Sequence, residues 1–390
     1  MKRVAGNGGA ALDRTGLGLG HGRVLCEWLI DFLTSIQRAG CVAVNHRGGV
    51  GRLALVSLAV SILAGCSGEY SILDPAGPAA RDQFWVWWAM FAVSMVVSVV
   101  IFALWIFTFL KKSHPQRTPR EERRIALRWI LGGGVALPLV SIIALLTFGV
   151  PTGKRMLPLP LPDGETAEVI EVIGHQWWWE IRYPGAEGET VVTANHLVMP
   201  AGEPVDFHLT SNDVIHAFWI PRLGGKIDMV PARDNYIRLE ADYPGIFSGQ
   251  CAEFCGAQHT TMQLFVEAME RDEYEAWLAA RQSPPQQQER HDEAREAFVE
   301  HCAGCHRVAG LPHDIQASGP VYRGIEGPDL SDIGSRATLG AGRLAMEEGA
   351  IAYWLEHHQL LKPGNRMPAH NHIDTETLQS IGSWLETLTP

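Results

Sequence analysis

The chain has 390 residues, a formal charge of -11 and 46% hydrophobic residues. That length allows two ordinary domains plus membrane anchors. The acidic balance excludes a nucleic-acid surface and suits a basic protein partner.

Residues 1–46, with Cys26 and Cys41, show no hydrophobic periodicity and read as a leader. LALVSLAVSILAG at 53–65 follows Arg47 and Arg52. It is too short to span a bilayer but suits the core of a secretory signal. It ends in Leu63-Ala64-Gly65-Cys66, which resembles a bacterial lipobox. Residues 1–65 are therefore expected to be leader and signal peptide, and the resemblance implies lipidation at Cys66.

Residues 66–150 are expected to form a transmembrane helical hairpin. The stretches 84–110 and 129–150 hold no charged residue, and each meets the length of a membrane-spanning helix. Between them lie Lys111, Lys112, Arg117, Arg120, Arg123, Arg124 and Arg128 against only Glu121 and Glu122. The positive-inside bias assigns this loop to the cytoplasm and everything after residue 150 to the periplasmic or outer face.

Residues 151–281 change to short β-like runs, such as Ala167–Ile173, Trp177–Tyr183, Val205–Thr210 and Tyr236–Glu240, separated by turn signals. That spacing predicts an antiparallel Greek-key β-sandwich ending near Met269. Its chemistry is concentrated in GQCAEFCGAQHTTMQLF, residues 249–265, which holds Cys251, Glu253, Cys255, His259 and Met262. Two thiolates, an imidazole and a thioether are a soft donor set suited to copper. His216 is a second candidate imidazole, since loops at one end of a sandwich converge. Zinc on Cys251, Cys255, His216 and His259 is the rival reading, but it leaves Met262 without a role. A disulfide between the cysteines leaves the histidines unexplained.

HQWWWE (175–180), IHAFWIPRLGGKIDMVP (215–231) and GQCAEFCGAQHTTM (249–262) resemble the signature blocks of cytochrome c oxidase subunit II, over about residues 84–281. The resemblance implies a cupredoxin-like domain with a dinuclear copper site. Cys251 and Cys255 would bridge the two coppers and His216 and His259 would bind one each. Met262 and the backbone carbonyl of Glu253 would be the weak ligands. It also implies a magnesium ion held by the Glu253 side chain at the border with subunit I, and Trp177 as the aromatic through which electrons arrive. Strand alternation predicts Trp177 and Trp179 on one face and Trp178 on the other. Lys226 and Asp228 match a block near the subunit I contact, although a salt-bridged turn explains them equally. One departure stands out. The family commonly has a Glu at the cytoplasmic start of its second helix, whereas here Ala126 lies one turn before Trp129, and Glu121 and Glu122 lie further out.

Arg271–Arg281 reads as a closing helix and residues 282–288 as a Pro/Gln linker. Residues 289–390 suit a small all-α cytochrome c domain. Its first helix leads into Cys302-Ala303-Gly304-Cys305-His306, a c-type haem attachment pattern with His306 as axial ligand. Asn365-Arg366-Met367-Pro368 resembles the methionine loop of class I cytochromes c, making Met367 the second axial ligand ahead of Met346, His357, His358, His370 and His372. Gly327-Pro328-Asp329-Leu330 resembles the loop whose proline carbonyl orients the proximal histidine. Leu378, Ile381, Trp384 and Leu385 are placed at helical spacing to pack near Phe298.

Together these features predict an electron-input subunit of a proton-translocating cytochrome c oxidase, with the oxygen-reducing centre in another chain. The expected partners are subunit I, subunit III, a cytochrome c donor and the membrane. The alternative is a membrane-anchored copper/haem carrier that does not assemble with an oxidase. The quinol oxidase relatives of this family lack the copper ligands.

Overall fold

The computed structural model describes residues 68–111, 117–161, 164, 166–185, 190–285, 291–311 and 327–390. The leader, the signal core and Cys66 lie outside the described residues. Among the described residues two helical rods come first: α1 (Pro78–Leu110), then α2 (Pro119–Trp129) continued by a π-helical stretch (Ile130–Ala136) and α3 (Leu137–Arg155). Both are long and apolar enough to cross a membrane. Large apolar side chains are exposed all round them, from Trp85 to Leu110 and from Leu127 to Val150, as expected where lipid is the solvent. The rods are longer than the predicted 84–110 and 129–150. The charges at Arg81, Asp82 and Arg120–Arg128 end the apolar stretch, not the helix. At the start of α2, Thr118 and Glu121 cap each other reciprocally: Glu121 N–H donates to Thr118 Oγ1, and Thr118 N–H donates to Glu121 Oε2 at 2.9 Å. Glu121 is thereby committed to capping.

Ten strands follow among the described residues: β1 (Glu168–His175), β2 (Trp178–Pro184), β3 (Thr190–Ala194), β4 (His196–Pro200), β5 (Val205–Ser211), β6 (His216–Trp219), β7 (Ile227–Met229), β8 (Asn235–Leu239), β9 (Gly245–Cys251) and β10 (Gln263–Met269). They form two five-stranded sheets, ordered β3-β2-β1-β5-β8 and β4-β10-β9-β6-β7. Ile170, Trp179, Phe207, Phe218, Leu197 and Val266 are among the side chains that fill the space between them, a two-layer core. The predicted all-antiparallel pairing is corrected at two ladders. β1 pairs parallel with β5, and β4 pairs parallel with β10. The chain leaves the first sheet through β4 and returns at the free edge of β1, so these neighbours run the same way.

The outer ends of the rods are tied to this sandwich. Ala76 N–H donates to Arg222 O at 2.7 Å, Arg238 N–H donates to Met156 O at 2.8 Å, and Arg81 pairs with Asp242 at 2.9 Å.

After α4 (Arg271–Ala280) comes a helical domain of α5 (Asp292–His301), α6 (Ala350–Leu361) and α7 (Thr375–Glu386). A two-residue pairing of β11 (Thr338–Leu339) with β12 (Leu344–Ala345) is the one addition to the predicted all-α arrangement among the described residues. α5 meets α7 through the edge-on Phe298 and Trp384 rings, 5.1 Å between centroids. The two domains share a buried ionic node. Asp332 accepts from Arg336 Nη2 at 2.6 Å, from Arg281 Nε at 3.2 Å and from Thr193 Oγ1 on β3 at 2.9 Å.

Candidate metal and haem centres

β9 and β10 are antiparallel neighbours, with Gln250 opposite Gln263. Residues 251–262 are therefore the connection of a long hairpin. Its ends are clasped by Cys251 N–H donating to Met262 O at 3.1 Å, so donors spaced three and four residues apart turn back on one another. Cys251 Sγ and Cys255 Sγ lie 3.7 Å apart, too far for a disulfide bond of about 2.05 Å. One imidazole stands beside each sulfur: His216 Nδ1 is 3.8 Å from Cys251 Sγ, and His259 Nδ1 is 3.7 Å from Cys255 Sγ. Met262 Sδ is 3.9 Å from Cys255 Sγ, and the Glu253 carbonyl is 3.2 Å from Cys251 Sγ. His216 arrives from β6, which pairs with β9 on the other side. His216, Cys251, Cys255 and Met262 are buried. Every residue expected in the copper set is thus brought together. The Glu253 side chain is half-buried and stands outside the cluster of potential metal ligands formed by His216, Cys251 and Cys255. Lys226 and Asp228 are exposed and 3.4 Å apart.

The electrostatics favour a shared charge. The hydrogen bond from Cys255 stabilises a Cys251 thiolate, overcoming burial, and His216 adds to it, so the Cys251 pKa falls. The same bond and burial hold the Cys255 proton, and its pKa rises. Burial alone would lower the His216 pKa. Its bonds to Asp213 and Cys251 outweigh that, and the pKa rises. Soft sulfur and imidazole donors sharing one charge are the donor chemistry of copper.

Several residues that position this loop were not anticipated. Asp213 binds His216 Nε2 at 2.9 Å and accepts from Gln176 N–H at 2.7 Å. A carboxylate on the far nitrogen of a ligating imidazole fixes its tautomer and orientation. Gly174 lies against the His216 ring, where a Cβ would come within 2.9 Å of Cδ2. Trp177 corrects the strand-alternation expectation. β2 begins at Trp178, so Trp177 belongs to the turn, and its Nε1 donates to Cys255 O at 3.0 Å. Trp178 stacks on His175 at 4.2 Å, and Trp179 is sandwich core.

In the helical domain, α5 delivers Cys302, and Cys305 N–H and His306 N–H both donate to Cys302 O, at 3.1 and 3.0 Å. This turn sets both thiols and the imidazole on one side of a cavity of about 300 Å³. Met367 lines the same cavity, as do His370 and His372. Met346, His357 and His358 do not. His306 Nδ1 lies 2.8 Å from Pro328 O. Burial pushes the His306 pKa down, which favours the neutral ring that an iron ligand must be. Gly327 allows this packing, since a Cβ there would come within 2.5 Å of the His306 ring. The largely apolar lining, the paired thiols and the neutral imidazole suit a covalently attached haem. Trp177 and Lys362 line the cavity too.

Residues 184–269 match the family model "Cytochrome C oxidase subunit II, periplasmic domain", and residues 292–389 match "Cytochrome c". Cytochrome c oxidase subunit 2 of Alkalihalophilus pseudofirmus is 34% identical over 350 residues, covering 85% of this chain and 95% of the relative. Quinol oxidase subunit 2 of Bacillus cereus is 30% identical over 224 residues, covering 55% of this chain and 74% of the relative. The crystal structure of the periplasmic domain of subunit II of the Bradyrhizobium japonicum cytochrome oxidase is 30% identical. It covers 30% of this chain and 93% of that one, with a TM-score of 0.28.

Fold and clusters define a membrane-anchored metalloprotein of electron transport. The chain belongs to the cytochrome c oxidase subunit II family and carries a cytochrome c domain at its C-terminal end.

Proposed function

We propose that this chain is the electron-input subunit of a terminal cytochrome c oxidase. It would take electrons from an external cytochrome and pass them to an oxygen-reducing centre in subunit I, with subunit III as a further partner. His216, Cys251, the Glu253 carbonyl, Cys255, His259 and Met262 would hold two coppers. Cys302 and Cys305 would carry a haem c with His306 and Met367 as axial ligands. Bound copper would supply a one-electron carrier whose charge is spread over both thiolates, so that its ligands move little on reduction. The Glu253 carboxylate remains the candidate for magnesium at the subunit I border. The run of Lys111, Lys112, Arg117, Arg120, Arg123, Arg124 and Arg128 favours an orientation with both redox domains on the periplasmic or outer face.

The observation that carries this reading is the pair of sulfurs with one imidazole beside each, 3.8 and 3.7 Å away. A single tetrahedral zinc has no need of the adjoining Met262 thioether and Glu253 carbonyl. Trp177 supports an electron path from the external cytochrome through haem c and the copper pair to subunit I, because one residue borders the haem cavity and bonds to the Cys255 carbonyl.

The test is purification of the full chain from membranes, followed by metal and haem analysis with near-infrared and electron paramagnetic resonance spectra. The expected result is about two coppers and one haem per chain, a mixed-valence copper signal, and a co-purifying haem-copper subunit. Zinc alone, or a Cys251–Cys255 cystine, overturns it. Copper and haem without a co-purifying subunit would mark a free-standing carrier.

A further inference from the structure

Lys362, at the end of α6, is 4% exposed, with its ammonium group inside the seam between the two redox domains. Its three protons meet three main-chain carbonyls: Trp177 O at 2.8 Å, Gly340 O at 2.8 Å and Thr261 O at 3.2 Å. An ammonium has three donors and no acceptor, so this cage satisfies it completely. Two of the carbonyls belong to the sandwich, one from the turn that carries Trp177 and one from the residue before Met262. The third belongs to the β11–β12 turn of the helical domain. Around this point further bonds join the domains. Gln263 N–H donates to Ala341 O at 3.1 Å, and the Gln258 side-chain Nε2 donates to Pro363 O.

Burying a lone cation is costly. Burial pushes the Lys362 pKa down to about 7, a drop the Cys255 sulfur partly offsets and Arg343 deepens. An apolar side chain would fill the same space without that cost, but it could not draw three carbonyls from two domains to one point. The carbonyl of Trp177 is held by Lys362 while its indole is held by Cys255 O, so both ends of this residue are fixed.

We propose that Lys362 is a positioning residue for electron transfer: its three-carbonyl clasp locks the haem cavity onto the sulfur loop and holds Trp177 in register between them. The inference rests on the copper and haem reading above. It adds that the cytochrome domain works docked, across a fixed seam, and does not shuttle on its linker. Tunnelling falls off exponentially with distance, so a seam that opens slows transfer without removing either donor set.

The experiment uses the full chain loaded with copper and haem, as wild type, Lys362→Gln and Lys362→Met. Metal and haem content are measured first, and their absence from the wild type refutes the underlying reading and not this one. With both centres present, haem-to-copper electron transfer is timed after flash photoreduction and corrected for the measured potentials. Lys362→Met is expected to be slower by about ten-fold or more, with Lys362→Gln between, on the general scale by which small misplacements of a reacting pair cost rate. Hydrogen exchange at the Gln263 amide, which bonds across the seam, is expected to accelerate in the same order, while β1 and β2 stay protected. Should Lys362→Met fail to fold, Lys362→Gln alone decides. A corrected rate within about two-fold of wild type in a folded, fully loaded variant overturns the proposal.

Discussion

Four side-chain donors of the sulfur loop come from twelve consecutive residues, Cys251 to Met262, on a hairpin connection clasped by its own backbone. The candidate haem-holding residues come from Cys302–His306 and from Met367, about two-thirds of that domain apart, and they line a cavity of about 300 Å³. The first site is a closed constellation: sulfurs, imidazoles and thioether already touch, and the sandwich core continues beneath them. The second is a helical shell around a hole, where Phe298, Leu330, Ile351, Leu355 and Leu385 line the cavity. A site packed against itself keeps its shape when its ligand is removed. A shell around a hole owes part of its stability to what fills it.

The sharpest way to break this contrast is to withhold the haem. At about 24 cal/mol per Å³, a dry cavity of this size would cost on the order of 7 kcal/mol, and water entering it would lessen that figure. Even half is a large share of the roughly 5–15 kcal/mol that holds a domain together. The Cys302→Ser, Cys305→Ser double variant is therefore expected to lose covalent haem. Its helical domain should melt in a separate, earlier calorimetric transition, with the sandwich transition unmoved. One unchanged joint transition would show that the cavity collapses without cost and that the contrast is false.

The next effect tests what joins the two regions. Asp332 is buried between Arg336, Arg281 and Thr193. Burial raises its pKa, but the two guanidinium groups outweigh burial and bring it below the ordinary value. A carboxyl depressed on folding contributes stability that is present above its unfolded pKa, about 3.9, and lost as pH falls through the folded one. Asp332→Asn should cost roughly 3–5 kcal/mol at neutral pH, because the buried Arg336 and the partly buried Arg281 lose their charged partner. The gap from wild type should hold from pH 7 to about 4.5 and narrow below about 4. Denaturant midpoints measured across that range check both. A gap that widened on acidification would contradict the ion-pair account.

How much of this was legible in the sequence follows the same division. Cys251, Cys255, His259 and Met262, like Cys302, Cys305 and His306, stand at fixed short spacings, so local chain geometry alone brings them close. His216 and Met367 are distant in sequence: the convergence of sandwich loops made His216 a candidate, and resemblance made Met367 one. Gly174, Asp213, Asp332 and Lys362 gave no signal of their own. Each acts through a partner contributed by another part of the fold, which no spacing encodes. The two parallel ladders and the turn position of Trp177 escaped for the same reason: strand pairing is settled by long-range packing, and a run of tryptophans suits a strand or a turn equally. The membrane helices were legible in number and place but not in their ends, because charge ends lipid solubility before it ends a helix.

The closed character of the sulfur loop can be sharpened with Cys255→Ser. The mixed-valence copper signal should vanish and the haem spectrum remain. Metal-free stability should fall by only about 1–2 kcal/mol, some 2–8 °C in the sandwich transition at 2–4 °C per kcal/mol. The loop is held by its backbone clasp and by Trp177 and Gln176 donating to Cys255 O at 3.0 and 2.8 Å, bonds that this substitution leaves in place. Unfolding of the metal-free variant at room temperature would mean that copper, not the hairpin, shapes the loop.

Thr193→Val bears most directly on the seam. Its hydroxyl is the sandwich's contribution to the Asp332 node, and valine keeps its shape while removing the donor. Asp332 retains both arginines, so the loss is one hydrogen bond to a charged group, about 1.5–3 kcal/mol at most. A purely local defect in β3 would lower the sandwich transition alone. A hydrogen bond that spans the seam predicts a different signature: the haem-loaded helical domain, which loses an anchor, should exchange its α7 amides faster than wild type. Exchange confined to β3 would show that the node stabilises the sandwich only, and that Lys362 and its carbonyl cage hold the two domains together without it.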